Sequence, residues 1–223
     1  MALDDPAPEP AGKRGRPPVL DERRIVVAAL RLIDGAGFDG LTVRALSAEL
    51  AVSPAAIYGH VESKDAVVDL VIDHLLAEIR VPSHGHARAR VEGAAVSMMQ
   101  TLQAHPGLSQ AVLQRGAVGP HGVAVTEQVL ALLRQAGTPD EALWDAYHVL
   151  LVYIHGHVLA TTWPRTSRHR SRSTAARGRL LALPPESVAT ITAASRGWHD
   201  DPQARFLLGL RALLDGVCPS GRP

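Results

Sequence analysis

Disulfide chemistry has almost nothing to work with in this chain: Cys218 is the only cysteine. One copy can form no bridge and no thiol cluster for a metal, which fits a reducing, cytoplasmic setting. Aromatic residues are scarce at 4%, against 46% hydrophobic residues overall, so the core must be Leu, Val, Ile and Ala. Ala and Leu are strong helix formers. Long apolar runs are missing as well. The nearest, Leu143 to Trp163, is interrupted by Asp145, His148, His155 and His157; it reads as a buried helix and not a membrane span. The N-terminal stretch, with Asp4, Asp5 and four prolines by Pro17, lacks the apolar segment of a signal peptide. Catalytic signatures are absent too: no Gly-x-Ser-x-Gly elbow, His-Glu-x-x-His helix, P-loop or dinucleotide fingerprint. The expectation is an all-α protein that is not an enzyme and needs no cofactor. Its 223 residues are enough for one or two packed domains.

What is present is a repeated helix-start signal. Thr42 is a natural N-cap, with Leu41 and Leu46 at the staple positions around it. Eleven residues later the signal returns: Ser53 as N-cap, Pro54 at the first helical position, Val52 and Ile57 as staple. That interval holds about three turns of helix and a short turn. It is the size of a helix-turn-helix unit, although two amphipathic helices in an ordinary core would share the pattern. Upstream, Asp21 caps a first helix over about 22–36, ended by Gly37. Downstream, Ser63 starts a fourth helix carrying Val67, Leu70, Val71, His74, Leu75 and Ile79 on its apolar face.

The segments Asp39-Gly40-Leu41-Thr42-Val43-Arg44-Ala45-Leu46, Val52-Ser53-Pro54-Ala55-Ala56-Ile57-Tyr58-Gly59-His60-Val61 and Lys64-Asp65 resemble the tetracycline-repressor (TetR) family of transcription regulators. The resemblance is specific from about Leu20 to Ile79 and looser beyond. Many family members carry Gly where this chain has Ala51. The resemblance implies an N-terminal three-helix helix-turn-helix domain, joined by the fourth helix to a helical effector-binding and dimerisation domain. It divides the chain into a disordered basic arm over 1–18, a DNA-binding domain over 19–80 and an effector domain over 81–223. It also implies a homodimer on double-stranded operator DNA, most often as a repressor.

Residue chemistry suggests who would touch that DNA. Arg44 can fork onto guanine O6 and N7. Thr42 and Ser53 can cap a helix and meet a phosphate. Pro54, Ala55 and Ala56 are small enough to approach a thymine methyl. Tyr58 and His60 offer a hydroxyl and an imidazole to phosphates, and Lys64 adds charge at a helix start. The family's matching positions Arg44, Ala55, Ala56, Tyr58, Gly59, His60 and Lys64 commonly face DNA; Gly59 departs from the bulkier residue of some members. The competing reading of Tyr58 is a core aromatic between the first and third helices, and a buried ring with its hydroxyl outward would combine the two. Lys13, Arg14 and Arg16, in a Gly-Arg-Pro context, resemble minor-groove arms. They matter because Met1 to Arg80 holds nine Lys and Arg against thirteen Asp and Glu, an unusual balance for a DNA-binding domain.

After a breaker at Val81-Pro82-Ser83-His84-Gly85-His86, helices are expected over about 87–105, 108–115, 122–135, 139–163, 186–196 and 202–217. Trp144, His148, Leu151 and His155 recur on one face of the long helix, with Tyr147 beside them. Met98, Met99, Leu102 and His105 would supply the opposite wall of a pocket for a small, largely apolar effector. Ordinary core packing would give the same pattern. Leu143, Ala146, Leu150 and His157 are expected to face a dimer partner. The His and Glu that hold a drug–magnesium complex in the founding member have no clear match, so no metal site is expected. The rival reading is a helical metal sensor using the eleven histidines. Arg165 to Arg179, rich in arginine and free of acid, reads as a long solvated loop.

Overall fold

The computed structural model describes residues 20–117, 119–162, 183–195 and 201–218. The arm residues Lys13, Arg14 and Arg16 and the Arg165–Arg179 stretch lie outside them. Among the described residues the chain forms ten α-helices and no strand.

Helices α1 (Glu22–Gly40), α2 (Val43–Leu50), α3 (Pro54–Tyr58) and α4 (Lys64–Leu76) each start on a side-chain cap. The caps are local in sequence. Asp21 accepts from the Arg24 amide at 2.8 Å, Thr42 from Ala45 at 3.0 Å, Ser53 from Ala56 at 3.2 Å and Ser63 from Ala66 at 3.1 Å. Gly37, at φ 71° and ψ −172°, breaks α1 into a long segment and a last short turn; the αL side of the map costs glycine little.

The remaining helices are α5 (Ala87–Ala104), α6 (Pro106–Arg115), α7 (Pro120–Gln135), α8 (Leu143–Thr162), α9 (Ala189–Ser195) and α10 (Pro202–Val217). Three of the expected starts shift for a physical reason. Pro106 and Pro120 take the first helical position, so α6 and α7 begin two residues early. Pro139 leads instead into one 3₁₀ turn, Asp140–Ala142, and α8 follows it. Exposed His86 ends the breaker, and its ring accepts from the Ala89 amide at 3.2 Å, capping α5.

α4 is packed on both sides. It lies against α1 in the N-terminal half and against α7 and α6 in the C-terminal half. Val67, Val68, Val71, Ile72, Leu75 and Leu76 are all buried, which is more than one helix stripe provides. One contiguous apolar core therefore runs from Ile25 in α1 to Leu214 in α10. α5, α7 and α8 pack on one another, and α10 lies along α8. There the Tyr153 ring stacks on Phe206 at 5.4 Å and its hydroxyl donates to the Phe206 carbonyl at 2.8 Å. A Cβ at Gly209 would overlap that hydroxyl, so the close approach requires glycine.

Leu143, Ala146 and Leu150 do not face outward as expected; they are buried within one copy. The exposed apolar face of α8 is instead Val149 and Val152, continued by Gly156, with Leu208 of α10 exposed at 73%.

Candidate nucleic-acid interface and effector cavity

The helix-turn-helix turn passes through Ala51 at φ 54° and ψ 44°, the only non-glycine residue with positive φ among those described. The amides of Ala51 and Val52 return to the carbonyls of Ala48 and Ser47, closing α2. α2 packs on α1 and α3 on α2, with Leu41, Leu46 and Ile57 all buried. What remains outside is one edge carrying Thr42, Arg44, Ser53, Pro54, Ala55, Tyr58, Gly59, His60 and Lys64, all exposed, with Ala56 half-buried behind it. At 55% exposure Tyr58 is not a core aromatic, and its ring stays on that edge. α3 is only five residues long, so its last turn leaves the ring outside. Lys64 is partly committed, since its ammonium donates to the Phe38 carbonyl at the end of α1, 3.1 Å away. Arg44 carries no ion pair among the described residues.

Six acids of this half are held by partners within the protein. Asp21 is a cap, and Asp34 meets His105 at 3.3 Å. Glu49 pairs with Arg31 at 3.4 Å. Asp65, Asp69 and Asp73 follow one another at one-turn spacing along α4. Arg115, the last residue of α6, donates to Asp69 at 2.8 Å and to Asp65 at 3.1 Å. These carboxylates raise the Arg115 pKa, the Asp69 hydrogen bond most of all. Asp73 is buried, 8% exposed. Its Oδ1 accepts from the Gly122 amide at 2.9 Å, and its Oδ2 accepts from the His121 ring at 2.8 Å. α7 has no cap of its own, because its N-cap is Gly119. Asp73 caps α7 from another helix, and a Cβ at Gly119 would overlap its carboxylate. The sequence reading gave Asp73 no role; the regular spacing of the three aspartates was the available signal.

Between the end of α4 and helices α5 to α8 lies a cavity of about 300 Å³. Seven of the nine residues expected at an effector site line it: Met98, Leu102, Trp144, Tyr147, His148, Leu151 and His155. Two do not. Met99 is buried, but it lies a hundred degrees round α5 from Met98 and points into the core. His105 ends α5 and is held by Asp34. The sequence reading missed the opposite wall, Leu76 of α4, Val112 and Leu113 of α6, and Gly122, Val125 and Thr126 of α7. The α6–α7 connection closes it through Gly116 and Ala117. No lining residue is Asp, Glu, Lys or Arg. Thr126 and Tyr147 hydrogen-bond each other at 2.9 Å, and burial pushes the Tyr147 phenol up, with the Thr126 bond opposing. Trp144 packs edge-on to Tyr147 at 6.0 Å, exposed at the cavity rim. His155 is 1% exposed; its Nδ1–H donates to the Leu151 carbonyl at 2.8 Å, and its Nε2 has no partner. Burial lowers its pKa.

Among the described residues no three His, Cys, Asp or Glu side chains are grouped so as to hold a metal ion, and no helix is long and apolar enough to cross a membrane.

Comparison with known proteins agrees with this arrangement. The profile described as bacterial regulatory proteins, tetR family, matches residues 25–71, and that of the tetracyclin repressor-like C-terminal domain matches residues 81–219. The HTH-type transcriptional repressor DrrR1 of Streptomyces coeruleorubidus is 30% identical over 214 residues, covering 92% of this chain and 79% of that protein. The class A tetracycline repressor protein from transposon 1721, in Escherichia coli, is 27% identical, covering 89% of this chain and 90% of its own length. Among solved structures, Streptomyces coelicolor ActR in complex with actinorhodin superposes with a TM-score of 0.79 at 31% identity, covering 91% of this chain and 98% of that one. With its two profiles matched in order and a repressor aligned over most of its length, the chain belongs to the TetR family of transcriptional regulators.

Proposed function

We propose that the chain is a ligand-responsive repressor: a cytoplasmic homodimer that sits on a palindromic operator and leaves it when a small, largely apolar molecule fills the cavity. One observation carries the reading. The part of the cavity wall made by Gly116, Ala117 and Gly122 is flanked by two contacts to α4, Arg115 on Asp65 and Asp69 and the Gly122 amide on Asp73. α4 is also packed on α1, the helix against which α2 of the reading edge lies. A ligand that moves this wall moves α4, and the operator affinity changes by the ligand's differential affinity for the two head positions. Actinorhodin in ActR is a precedent for a small molecule bound by this fold.

Arg44 reads a base, and Thr42, Ser53, Tyr58, His60 and Lys64 hold the backbone, with Lys13, Arg14 and Arg16 in the minor groove. Dimerisation sets two heads one turn of DNA apart, ~34–36 Å. Val149, Val152 and Gly156 of α8 with Leu208 of α10 form the partner face.

The test is anisotropy of labelled DNA from upstream of the gene, with and without candidate effectors. The expected result is two protomers per operator and release on ligand addition. A ligand that binds tightly and leaves operator affinity unchanged would overturn the coupling.

A further inference from the structure

The cavity asks for one specific chemical feature in its ligand. Apolar walls make up most of it, and none of its lining residues carries a formal charge beyond what histidine can take up. Of its polar side chains, Thr126 and Tyr147 share one hydrogen bond, and Trp144 and His148 stand at the exposed edge. His155 alone in the lining holds a buried side-chain N or O atom with no partner. A carbonyl oxygen only accepts, so the contact with Leu151 fixes the hydrogen on Nδ1. The Nε2 atom is then a bare lone pair, buried and unpartnered, on a side chain that is 99% removed from solvent and lines the cavity. A buried polar atom left in that state is costly, and a partner that satisfies it recovers the cost.

We propose that His155 Nε2 is the recognition atom of the cavity, selecting effectors that bring a hydroxyl or N–H donor on a compact, uncharged, otherwise apolar body. This rests on the cavity being the effector site. It deepens that reading by naming a ligand class: phenols and similar donors are taken, their O-methyl ethers are not. The neutral ring suits the role, since a protonated imidazole would present a second donor and no acceptor. Burial favours the neutral form, against the smaller opposing pull of the Leu151 carbonyl. The volume of about 300 Å³ stands at the small end of ligand pockets, roughly 300–1,000 Å³, and suits two or three fused rings. An acceptor-only ligand of the same shape would leave Nε2 facing a lone pair.

The experiment is calorimetric titration of the full-length protein with 1-naphthol and with 1-methoxynaphthalene, two probes on one naphthalene body in which a methyl group replaces the donor hydrogen. The wild type is expected to bind the phenol about tenfold or more tightly than the ether, a difference of ~1.4 kcal/mol. His155→Phe keeps a ring in the site and removes the acceptor; its phenol-to-ether ratio should fall to one or below, with the ether bound at least as well as before. His155→Gln restores an acceptor and should recover part of the preference. Equal ratios in wild type and His155→Phe would overturn the proposal while leaving the cavity as the binding site. A wild type that prefers the ether would overturn it without any variant. If neither probe binds the wild type, the cavity reading fails and this proposal with it.

Discussion

Asp73 offers the sharpest test of how the two halves are joined. Asp73→Ala removes the only side-chain cap of α7 and strands the Gly122 amide, whose acceptor lies 2.9 Å away in a buried site. Loss of a cap costs about 1 kcal/mol. An amide left unsatisfied in a buried site costs about 1–3 kcal/mol. The His121 contact is half exposed at its ring and adds little after solvent screening. The two figures describe the same lost bond, so they do not add, and the alanine variant should lose roughly 1–3 kcal/mol. In a chain of this length each kcal/mol shifts Tm by about 2–4 °C, so the fall is roughly 2–12 °C. Asp73→Asn keeps an acceptor for Gly122 and forfeits the negative charge at the helix start, a loss of about 1 kcal/mol. Urea unfolding of both variants should be compared with wild type at one fixed protein concentration, because dimerisation links stability to concentration. An alanine variant within about 0.5 kcal/mol of wild type, inside the range of ordinary surface substitutions, would refute the capping argument. So would an asparagine variant as damaged as the alanine one.

Other perturbations follow from the same geometry. Ala51→Gly relieves a left-handed alanine in the turn and should raise stability by about 0.5–1 kcal/mol, once the extra freedom of glycine in the unfolded chain is allowed for; thermal melts showing a loss would mean the turn is not strained. Arg44→Ala should weaken specific operator binding by about 1–3 kcal/mol while leaving binding to random DNA nearly unchanged, measured by competition anisotropy. Deleting residues 1–16 removes Lys13, Arg14 and Arg16 and should reduce the slope of log affinity against log salt by up to about three; equal slopes for both proteins would show that the arm does not meet phosphate.

How far the sequence could be read tracks the range of the interactions involved. Asp21, Thr42, Ser53 and Ser63 were legible as caps because donor and acceptor lie three residues apart. The face of α8 holding Trp144, His148, Leu151 and His155 was legible from helical period alone, and those residues do line one cavity. The far wall was not: Leu76, Val112 and Thr126 belong to three different helices, and nothing in their local patterns says that they meet. Asp73 escaped notice because its partners, His121 and Gly122, are 48 and 49 residues away. His105 was misplaced for the same reason, its partner Asp34 lying 71 residues upstream. For Tyr58 residue type left two readings open, groove edge or core, and the five-residue length of α3 decides against the core.

The double burial of α4 limits how this protein can be re-engineered. Regulators of modular build invite chimaeras, in which the head of one is grafted onto the sensor of another. Here a junction cut before α4 strips the cover from α1, and a junction cut after it leaves three aspartates facing a body without Arg115 or the start of α7. A working hybrid would have to import α4 together with the end of α6 and the first turn of α7, so the exchangeable unit is larger than the reading head.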